Sequence, residues 1–422
     1  MSKQFSKVSV IGLGYIGLPT AAIFAREGIE VIGVDINQVT VDTINKGEIH
    51  IVEPGLKEVV RHTVAENKLR ATTQPEAADA FVIAVPTPFT DNRDGDLTYI
   101  KAAAKAIAPV LQAGNLIVLE STSPVGTTEK MEQWLAAARP DLKFPKSHGD
   151  DADIFVAYCP ERVLPGKVMD ELVQNDRIVG GLSKASSDLA GDLYAIFLKG
   201  NCLKTNARTA EMAKLTENSF RDVNIAFANE LSLVCDELGI NVWELIRLAN
   251  RHPRVNILQP GPGVGGHCIA VDPWFIVSSA PDTAKLIRTA REVNDSKPLW
   301  VIRRVLETLS RVAKEKQKPV SELTVTCLGL SFKPNIDDLR ESPAVAIAKE
   351  IAAQHTGKTF VVEPHIKAEQ NPIKDSDLVE IDVGLKNGDV AVLLVDHDEF
   401  KAISRGEIDH LAWIDTRGLM DY

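Results

Sequence analysis

The strongest constraint on this chain lies near its start. A short apolar strand, Val8 to Ile11, runs into Gly12-Leu13-Gly14-Tyr15-Ile16-Gly17, and a helical pattern follows from Leu18 to Glu27. A second strand, Glu30 to Val34, then ends at Asp35. Glycines spaced GxGxxG are a weak signal alone. Between a strand and a helix, with an acidic residue about 20 positions on at the end of the next strand, they define a dinucleotide-binding βαβ unit. Gly12 makes the tight turn, Gly14 admits a pyrophosphate, and Gly17 lets the helix approach the strand. Tyr15 and Ile16 complete the turn and are counted with the cofactor site. The helix N-terminus faces the phosphates with its partial positive charge. Asp35 is expected to accept hydrogen bonds from ribose hydroxyls and to repel a 2′-phosphate, which favours NAD over NADP.

Strand and helix go on alternating. Ala80 to Val85 and Leu116 to Leu119 are further strands, ending in Pro86-Thr87-Pro88 and Ser121-Thr122-Ser123-Pro124-Val125-Gly126. Ligands of doubly wound sheets bind at the carboxyl ends of strands. The hydroxyls of Thr87, Thr122 and Thr128 are therefore candidates to face cofactor or substrate, with ordinary turn capping an equal reading. A similar plan recurs later, in Leu323 to Leu328 before Gly329, Thr359 to Val362 ending at Glu363, Val390 to Val395, and Trp413 to Asp415. This second half lacks the full glycine fingerprint and is expected to bind something other than the dinucleotide.

Between the halves, residues 205–310 are mainly helical in pattern. Thr209 to Leu238 carries helical periodicity and stops at Gly239, a plausible C-cap. Such a helix is about 45 Å long. It can join two domains and pack against a symmetry mate, so a homodimer is expected. Arg311 to Ser321 is charged, contains a proline, and reads as a linker. The expected class is α/β, with two Rossmann-like doubly wound domains joined by a central long-helix region. The expected boundaries are 1–204, 205–312 and 313–422.

The 422 residues are 45% hydrophobic and 25% charged, which is the composition of a globular protein with sizeable cores. A net charge of -11 counts against nucleic acid or an anionic membrane as partner. An anionic ligand then needs a local cluster of Lys and Arg. No run of 18 or more apolar residues occurs, so no transmembrane helix is expected. The N-terminal MSKQFSKVSVIGLG leads straight into a strand and reads as untargeted, hence cytoplasmic.

The five cysteines are odd in number, widely spaced, and without a CxxC pair. That favours a reducing compartment and counts against disulfides and zinc. Cys159, Cys202, Cys235 and Cys327 read as buried, inert thiols. Cys268 differs, because it follows four glycines and a histidine in PGPGVGGHCIAVDPWF, Pro260 to Phe275. Backbone amides or a nearby cation there lower a thiol pKa. A small buried cysteine is the commoner fate, but the glycines and Asp272 tip the reading to a nucleophile. A nicotinamide cofactor alone takes an alcohol to an aldehyde. Oxidation on to an acid usually calls for a nucleophile that holds the aldehyde, and thiolate is the best side chain for it. His267 and Cys268 are adjacent, which is not a normal ligand pair, so no metal is expected.

On the long helix, Lys214, Asn218 and Arg221 share one face at spacings of four and three. A functional cluster and a solvated polar stripe remain open there. His252 and Arg254 precede the glycine loop, Lys333 and Arg340 lie in FKPNIDDLRES, and Arg417 comes near the end. These could supply cations to a diphosphate, although each alone is by base rate a surface charge.

The segments VIGLGYIGLP, STSPVGTTEK, CPERVLPG, TAEMAKLTENSFRDVNIAFANE, GVGGHCIAVDP and FKPNIDDLRESP together resemble the UDP-sugar 6-dehydrogenase family over essentially the whole chain. CPERVLPG and RHPRVNILQPGPGVGGHCIAVDPWF are most similar to the branch acting on N-acetylated sugars. The resemblance implies that Cys268 attacks a C6 aldehyde and that the resulting thioester is hydrolysed. It implies that Lys214 assists proton transfer or stabilises the oxyanion, that Asn218 helps hold that oxygen, and that Asp272 assists the hydrolytic water. Glu161 and Thr122 would join the acid-base and water network. Arg162, Val163, Arg221, His252, Arg254 and Gly265 would line the sugar and diphosphate site. Phe332, Lys333 and Arg417 would belong to the nucleotide site of the last domain, and Arg340 would reach the cofactor.

The resemblance further implies a four-electron oxidation of a UDP-N-acetyl sugar, expected to be UDP-N-acetyl-D-mannosamine, to a uronate for bacterial surface polysaccharide. UDP-N-acetylglucosamine or UDP-N-acetylgalactosamine is the near alternative as substrate. A two-electron β-hydroxyacid dehydrogenase is the alternative of another class, and Cys268 discriminates against it. A non-catalytic NAD-binding sensor is a third, opposed by the intact catalytic set. One departure stands out. Where the UDP-glucose branch carries a second glutamate after Pro160-Glu161, this chain has Pro165 followed by Gly166. That small turn is expected to make room for a 2-acetamido group.

Overall fold

The computed structural model describes residues 5–90, 93–164, 166–266 and 269–420. Pro165, His267 and Cys268, singled out above, lie outside the described residues. The chain divides into two compact units, Met1–Glu217 with Trp274–Pro281, and Asn218–Pro273 with Asp282–Tyr422.

The first unit is built on eight strands, β1 (Lys7–Ile11), β2 (Glu30–Val34), β3 (Leu69–Thr72), β4 (Ala80–Ile83), β5 (Leu116–Leu119), β6 (Phe155–Tyr158), β7 (Arg177–Gly181) and β8 (Cys202–Asn206). Their order is β3-β2-β1-β4-β5-β6-β7-β8. All neighbours are parallel except β6 and β7. The sequences AFVI of β4 and LIVL of β5 are buried at every position, as strands covered on both faces must be. Helix α1 (Gly17–Arg26) starts at the third glycine of the fingerprint and is buried from Gly17 to Ala25. Helix α2 (Thr127–Ala138) follows β5.

Helix α3 (Ala207–Leu238) is the long helix expected from its periodicity, 32 residues in length. It ends at Gly239, whose φ of +68° suits glycine, and the next amide, Ile240 N–H, bonds back to the Cys235 carbonyl at 2.8 Å. Helices α4 (Val242–Ala249), α5 (Asp272–Ser279) and α6 (Lys285–Lys316) follow. The expected linker at Arg311 to Ser321 is largely helix, since α6 continues to Lys316. Charge misled there. Lys, Arg, Glu and Ala are good helix formers, and Arg311 pairs with Glu315 one turn on at 2.8 Å. The helix stops at Gln317, with φ +53°, just before Pro319.

The second unit carries a five-stranded parallel sheet of β9 (Thr324–Leu328), β10 (Lys358–Val362), β11 (Asp377–Leu378), β12 (Val390–Leu393) and β13 (Ala412–Asp415). The order β11-β10-β9-β12-β13 repeats the wiring of β3-β2-β1-β4-β5. Helix α7 (Pro343–Gln354) contributes Ile347 and Ile351 to a core shared with Val301, Val305, Leu309 and Val312 of α6. Among the described residues no helix is long and apolar enough to cross a membrane.

Candidate active site

The cofactor turn has the geometry its glycines require. Gly12 adopts φ +91°, and a Cβ there would lie 2.6 Å from the Ala84 carbonyl oxygen. A Cβ on Gly17 would lie 1.8 Å from the Gly12 oxygen, so only glycine lets α1 start this close to β1. At Gly14 a Cβ would meet nothing within 4 Å, which is open space for a pyrophosphate. Tyr15 beside it is exposed and Ile16 half-buried. At the end of β2 the Asp35 carboxylate accepts the Leu13 and Asn37 amides at 3.1 and 2.9 Å. These residues fit a dinucleotide.

The turns after β4 and β5 are more mixed. Thr87 Oγ1 is buried without a hydrogen-bond partner among the described residues, and Thr122 is half-buried. The Thr128 hydroxyl, expected to face a ligand, instead donates to Glu211 Oε1 at 2.7 Å. Glu211 also accepts the amides of Gly126 and Thr128 at 2.6 and 2.8 Å. Burial pushes this carboxyl up despite those hydrogen bonds. Sequence reasoning missed Glu211, although it stands three residues before Lys214 on α3.

The polar face of α3 is not one uniform stripe. Lys214 and Asn218 are buried, whereas Arg221 is exposed. Lys214 Nζ donates to Glu161 Oε1 at 3.0 Å, and Glu161 Oε2 accepts the Val163 amide at 3.0 Å. Arg162, expected at the substrate, binds the Asp176 carbonyl at 2.9 Å and Glu217 at 2.7 Å. In the second unit, Asn218 Nδ2 donates to Asp272 Oδ2 at 2.5 Å, and Asp272 is 3% exposed. A buried carboxylate four residues beyond Cys268 is thus fixed by an amide on α3.

The glycine loop packs tightly in the same unit. A Cβ on Gly265 would lie 2.6 Å from Pro343 and 3.0 Å from the Phe332 Cβ. One on Gly261 would lie 2.7 Å from an Arg417 guanidinium nitrogen. Gly265, Phe332 and Arg417 are therefore brought to one loop. Arg417 is steadied by Asp396, at 2.7 Å from its Nε. His252, Arg254 and Lys333 are exposed. The Arg340 guanidinium, expected at the cofactor, binds Asp338 two residues back at 2.6 Å.

The second sheet holds a degenerate copy of the first turn. Gly329-Leu330 repeats Gly12-Leu13, Ser331 and Pro334 stand at the spacing of Gly14 and Gly17, and the next helix starts only at Pro343. Gly329 has φ +89°, and its amide bonds the Val362 carbonyl as the Gly12 amide bonds that of Val34, both at 2.8 Å. Glu363 stands where Asp35 stands and accepts the Leu330 and Ser331 amides at 2.7 and 3.0 Å. It is also bonded to buried His397 at 3.0 Å. His397 Nδ1 accepts the Asn335 amide at 2.9 Å, so its proton sits on Nε2 and points to Glu363. Burial pushes the Glu363 carboxyl up, but the bonds from His397 and the two amides outweigh it and hold it below the usual range.

Glu363, His365 and His397 are the one group among the described residues with metal-ligand spacing. Glu363 and His397 are already bonded to each other and to the β9 turn. Of the other thiols, Cys159, Cys235 and Cys327 are buried and Cys202 is half-buried. Burial pushes Cys159 up to about 11 and Cys327 to about 12. Cys159 is not in wholly apolar surroundings, since Arg177 reaches its sulfur at 3.5 Å.

Three segments match the UDP-glucose/GDP-mannose dehydrogenase family, namely its NAD binding domain over residues 6–198, its central domain over 208–296, and its UDP binding domain over 326–422. The chain belongs to this family, an NAD-dependent oxidoreductase acting on nucleotide sugars. It is 62% identical over 419 residues to a UDP-N-acetyl-D-mannosamine dehydrogenase of Salmonella typhi, covering 99% of each chain. It is 60% identical over 416 residues to an NDP-N-acetyl-D-galactosaminuronic acid dehydrogenase of Ralstonia nicotianae, covering 99% of this chain and 96% of that one. The structure of a UDP-D-ManNAc dehydrogenase from Pyrococcus horikoshii is similar with a TM-score of 0.87 at 38% identity, over 98% of this chain and 96% of that one.

Proposed function

We propose that this protein oxidises UDP-N-acetyl-D-mannosamine at C6 to the uronate in two NAD-dependent steps, with Cys268 as the covalent trap between them. The observation that carries the reading is the pair of buried contacts along α3, Lys214 to Glu161 and Asn218 to Asp272. NAD, when bound, accepts a hydride in each oxidation. Glu161 keeps the Lys214 ammonium aimed, and that ammonium stabilises the alkoxide that develops at C6 as the hydroxyl proton passes to the water network of Glu161 and Thr122. The Cys268 thiolate adds to the C6 aldehyde to give a thiohemiacetal anion, and its loss of hydride leaves a thioester. Asp272 accepts a proton from the attacking water, and C–S cleavage returns the thiolate and releases the carboxylate. Asn218 orients Asp272 and donates to the reacting oxygen.

In this reading residues 1–204 hold NAD, 205–312 carry the catalytic helix, and 313–422 hold the uridine diphosphate. Thr87 and Thr122 meet the ligands, while Arg221, His252, Arg254, Lys333 and Arg417 supply cations to the diphosphate. The names of the two relatives support an N-acetylated sugar, and their nearly equal identity makes the epimer a matter for experiment. A homodimer paired along α3 is supported by Phe220, Phe227, Val234 and Leu238, which are exposed at helical spacing. A cytoplasmic setting keeps the thiol reduced, and the uronate serves surface polysaccharide.

The test counts NADH per sugar with limiting UDP-N-acetyl-D-mannosamine and excess NAD, beside UDP-N-acetylglucosamine, UDP-N-acetylgalactosamine and UDP-glucose. Two NADH from the mannosamine sugar, with no acid from Cys268→Ser, are expected. One NADH per sugar from the wild type would overturn the double oxidation, and turnover of another sugar in its place would overturn the substrate.

A further inference from the structure

The second unit contains a buried polar relay outside the contacts used above. Asp222, Asn229, Arg291 and Asn294 are all at most 1% exposed. Arg291 Nη1 donates to Asp222 Oδ1 at 2.6 Å, and Asn294 Nδ2 donates to the same oxygen at 2.8 Å. Asn229 Nδ2 donates to Asn294 Oδ1 at 2.8 Å, and Asn229 Oδ1 accepts the Gly261 amide at 2.9 Å.

Acceptors at one end and a donor at the other fix every orientation in this chain, since Asn294 Nδ2 also donates to the Asp222 backbone carbonyl at 3.1 Å. Asn294 presents its NH2 group to two Asp222 oxygens, the backbone carbonyl and Oδ1, which both accept. The Asn294 oxygen then faces Asn229, which must present its own NH2 group in turn. That leaves the Asn229 oxygen for Gly261 and forbids the flipped amide. Burial raises the Asp222 carboxyl, while Arg291 and the Asn294 amide pull it the other way. A buried pair of this kind is a poor device for stability, and its best attested use is to fix one arrangement.

The arrangement fixed here is the segment that holds Cys268. Gly261 lies seven residues before Cys268, and Asp272 lies four after it. Asn229 bonds the first end and Asn218 the second. The two asparagines are 11 residues apart on α3. That separation is about three full turns, so they share a face roughly 16 Å apart along the axis. Gly263 packs on Pro298 and Pro343, and Gly266 on the Phe332 ring, so the loop between is also bounded by rigid groups.

We infer that Asn229 is a positioning residue, which sets the start of the Cys268 segment by bonding the Gly261 amide at the end of the Arg291–Asp222–Asn294 relay. The inference rests on the proposal that Cys268 is the nucleophile. It acts on the second oxidation, which needs the thiolate, and not on NAD binding.

The test compares wild type, Asn229→Ala, Asn294→Ala and Cys268→Ser. It reads kcat and KM for each substrate, NADH per sugar, and the rate at which iodoacetamide labels the Cys268 peptide. Asn229→Ala is expected to lower kcat for acid formation on the order of 10–100-fold, the scale of a small misplacement of a reacting group. KM for NAD should hold, and the Cys268 labelling rate should change. Asn294→Ala frees the Asn229 amide to turn and should shift both readouts in the same direction, which keeps the test in hand if Asn229→Ala does not fold. Unchanged labelling and kcat in the folded variants would overturn the inference. Acid formation by Cys268→Ser would instead overturn the proposed function, whatever the asparagine variants do.

Discussion

At the scale of single residues, Lys297 shows how burial redirects an ionisable group. It is 3% exposed on α6, donates to Ser232 Oγ, and stands over the Trp300 ring at 4.6 Å. Burial pulls its pKa down to about 8, although the charge of Asp236 pushes the other way. The ordinary value is about 10.4. Between these two values the unfolded chain binds a proton that the folded chain has lost, so stability rises with pH across that window. Below pH 8 the cost of the buried charge is present in full. Lys297→Met is therefore expected to raise stability at pH 7 by roughly 1–3 kcal/mol and to flatten its rise between pH 8 and 10. Urea unfolding at pH 7 and 9.5 measures this, and a variant weaker than wild type at pH 7 would contradict it. Residues of this kind were not legible in the sequence. Lys297, Glu211 and Asn229 carry no local signature, because their roles depend on which helix face meets which loop. Gly12, Gly17 and Asp35 were legible because a local βαβ unit defines them.

At the scale of elements, the first turn separates two uses of glycine. A Cβ at Gly17 collides with the Gly12 carbonyl, whereas one at Gly14 collides with nothing. Gly17→Ala is expected to push α1 off β1, losing both thermal stability and NAD affinity. Gly14→Ala should melt with the wild type while KM for NAD rises ~10-fold or more, about 1.4 kcal/mol of binding. Equal melting temperatures for both variants would sink the distinction. Eight strands were placed to within two residues, since continuous apolar runs mark parallel strands well, whereas β3, β6, β7, β8 and β11 were not named. Arg311 to Lys316 was misplaced because charge density and helix propensity share the same residues. The match of Gly329 to Gly12 was hidden by Ser331 and Pro334, which replace the later glycines. Only the shared backbone geometry reveals it.

At the scale of the whole molecule, two α/β halves of related design and a long helix between them were legible from alternation and length. The sequence suggests chemistry at Cys268 through its glycines and Asp272, whereas the Asn218–Asp272 contact depends on a helix meeting a distant loop and was not legible. The exposed side of α3 carries the remaining expectation. Phe220 and Phe227 are 68% and 53% exposed, an unusual state for large aromatic side chains on a regular helix. The double variant Phe220→Glu, Phe227→Glu is expected to convert a two-chain particle into a one-chain particle in sedimentation. A wild type that sediments as a single chain would remove the dimer from the proposal.

The degenerate turn of the second sheet bears on how one chain keeps two nucleotides apart. A cofactor and a nucleotide sugar are both diphosphates carrying ribose, and two sheets of the same wiring invite each to occupy the place of the other. In the first sheet the Asp35 carboxylate lies beside an open glycine. In the second, Glu363 is sealed under its own loop by His397, and the position of the open glycine is filled by Ser331. The carboxylate at the end of β10, unlike Asp35, is thus bonded to a buried side chain as well as to backbone amides. Phe332, next in the chain after Ser331, packs on Gly265 and Gly266, and Lys333 beside it is exposed.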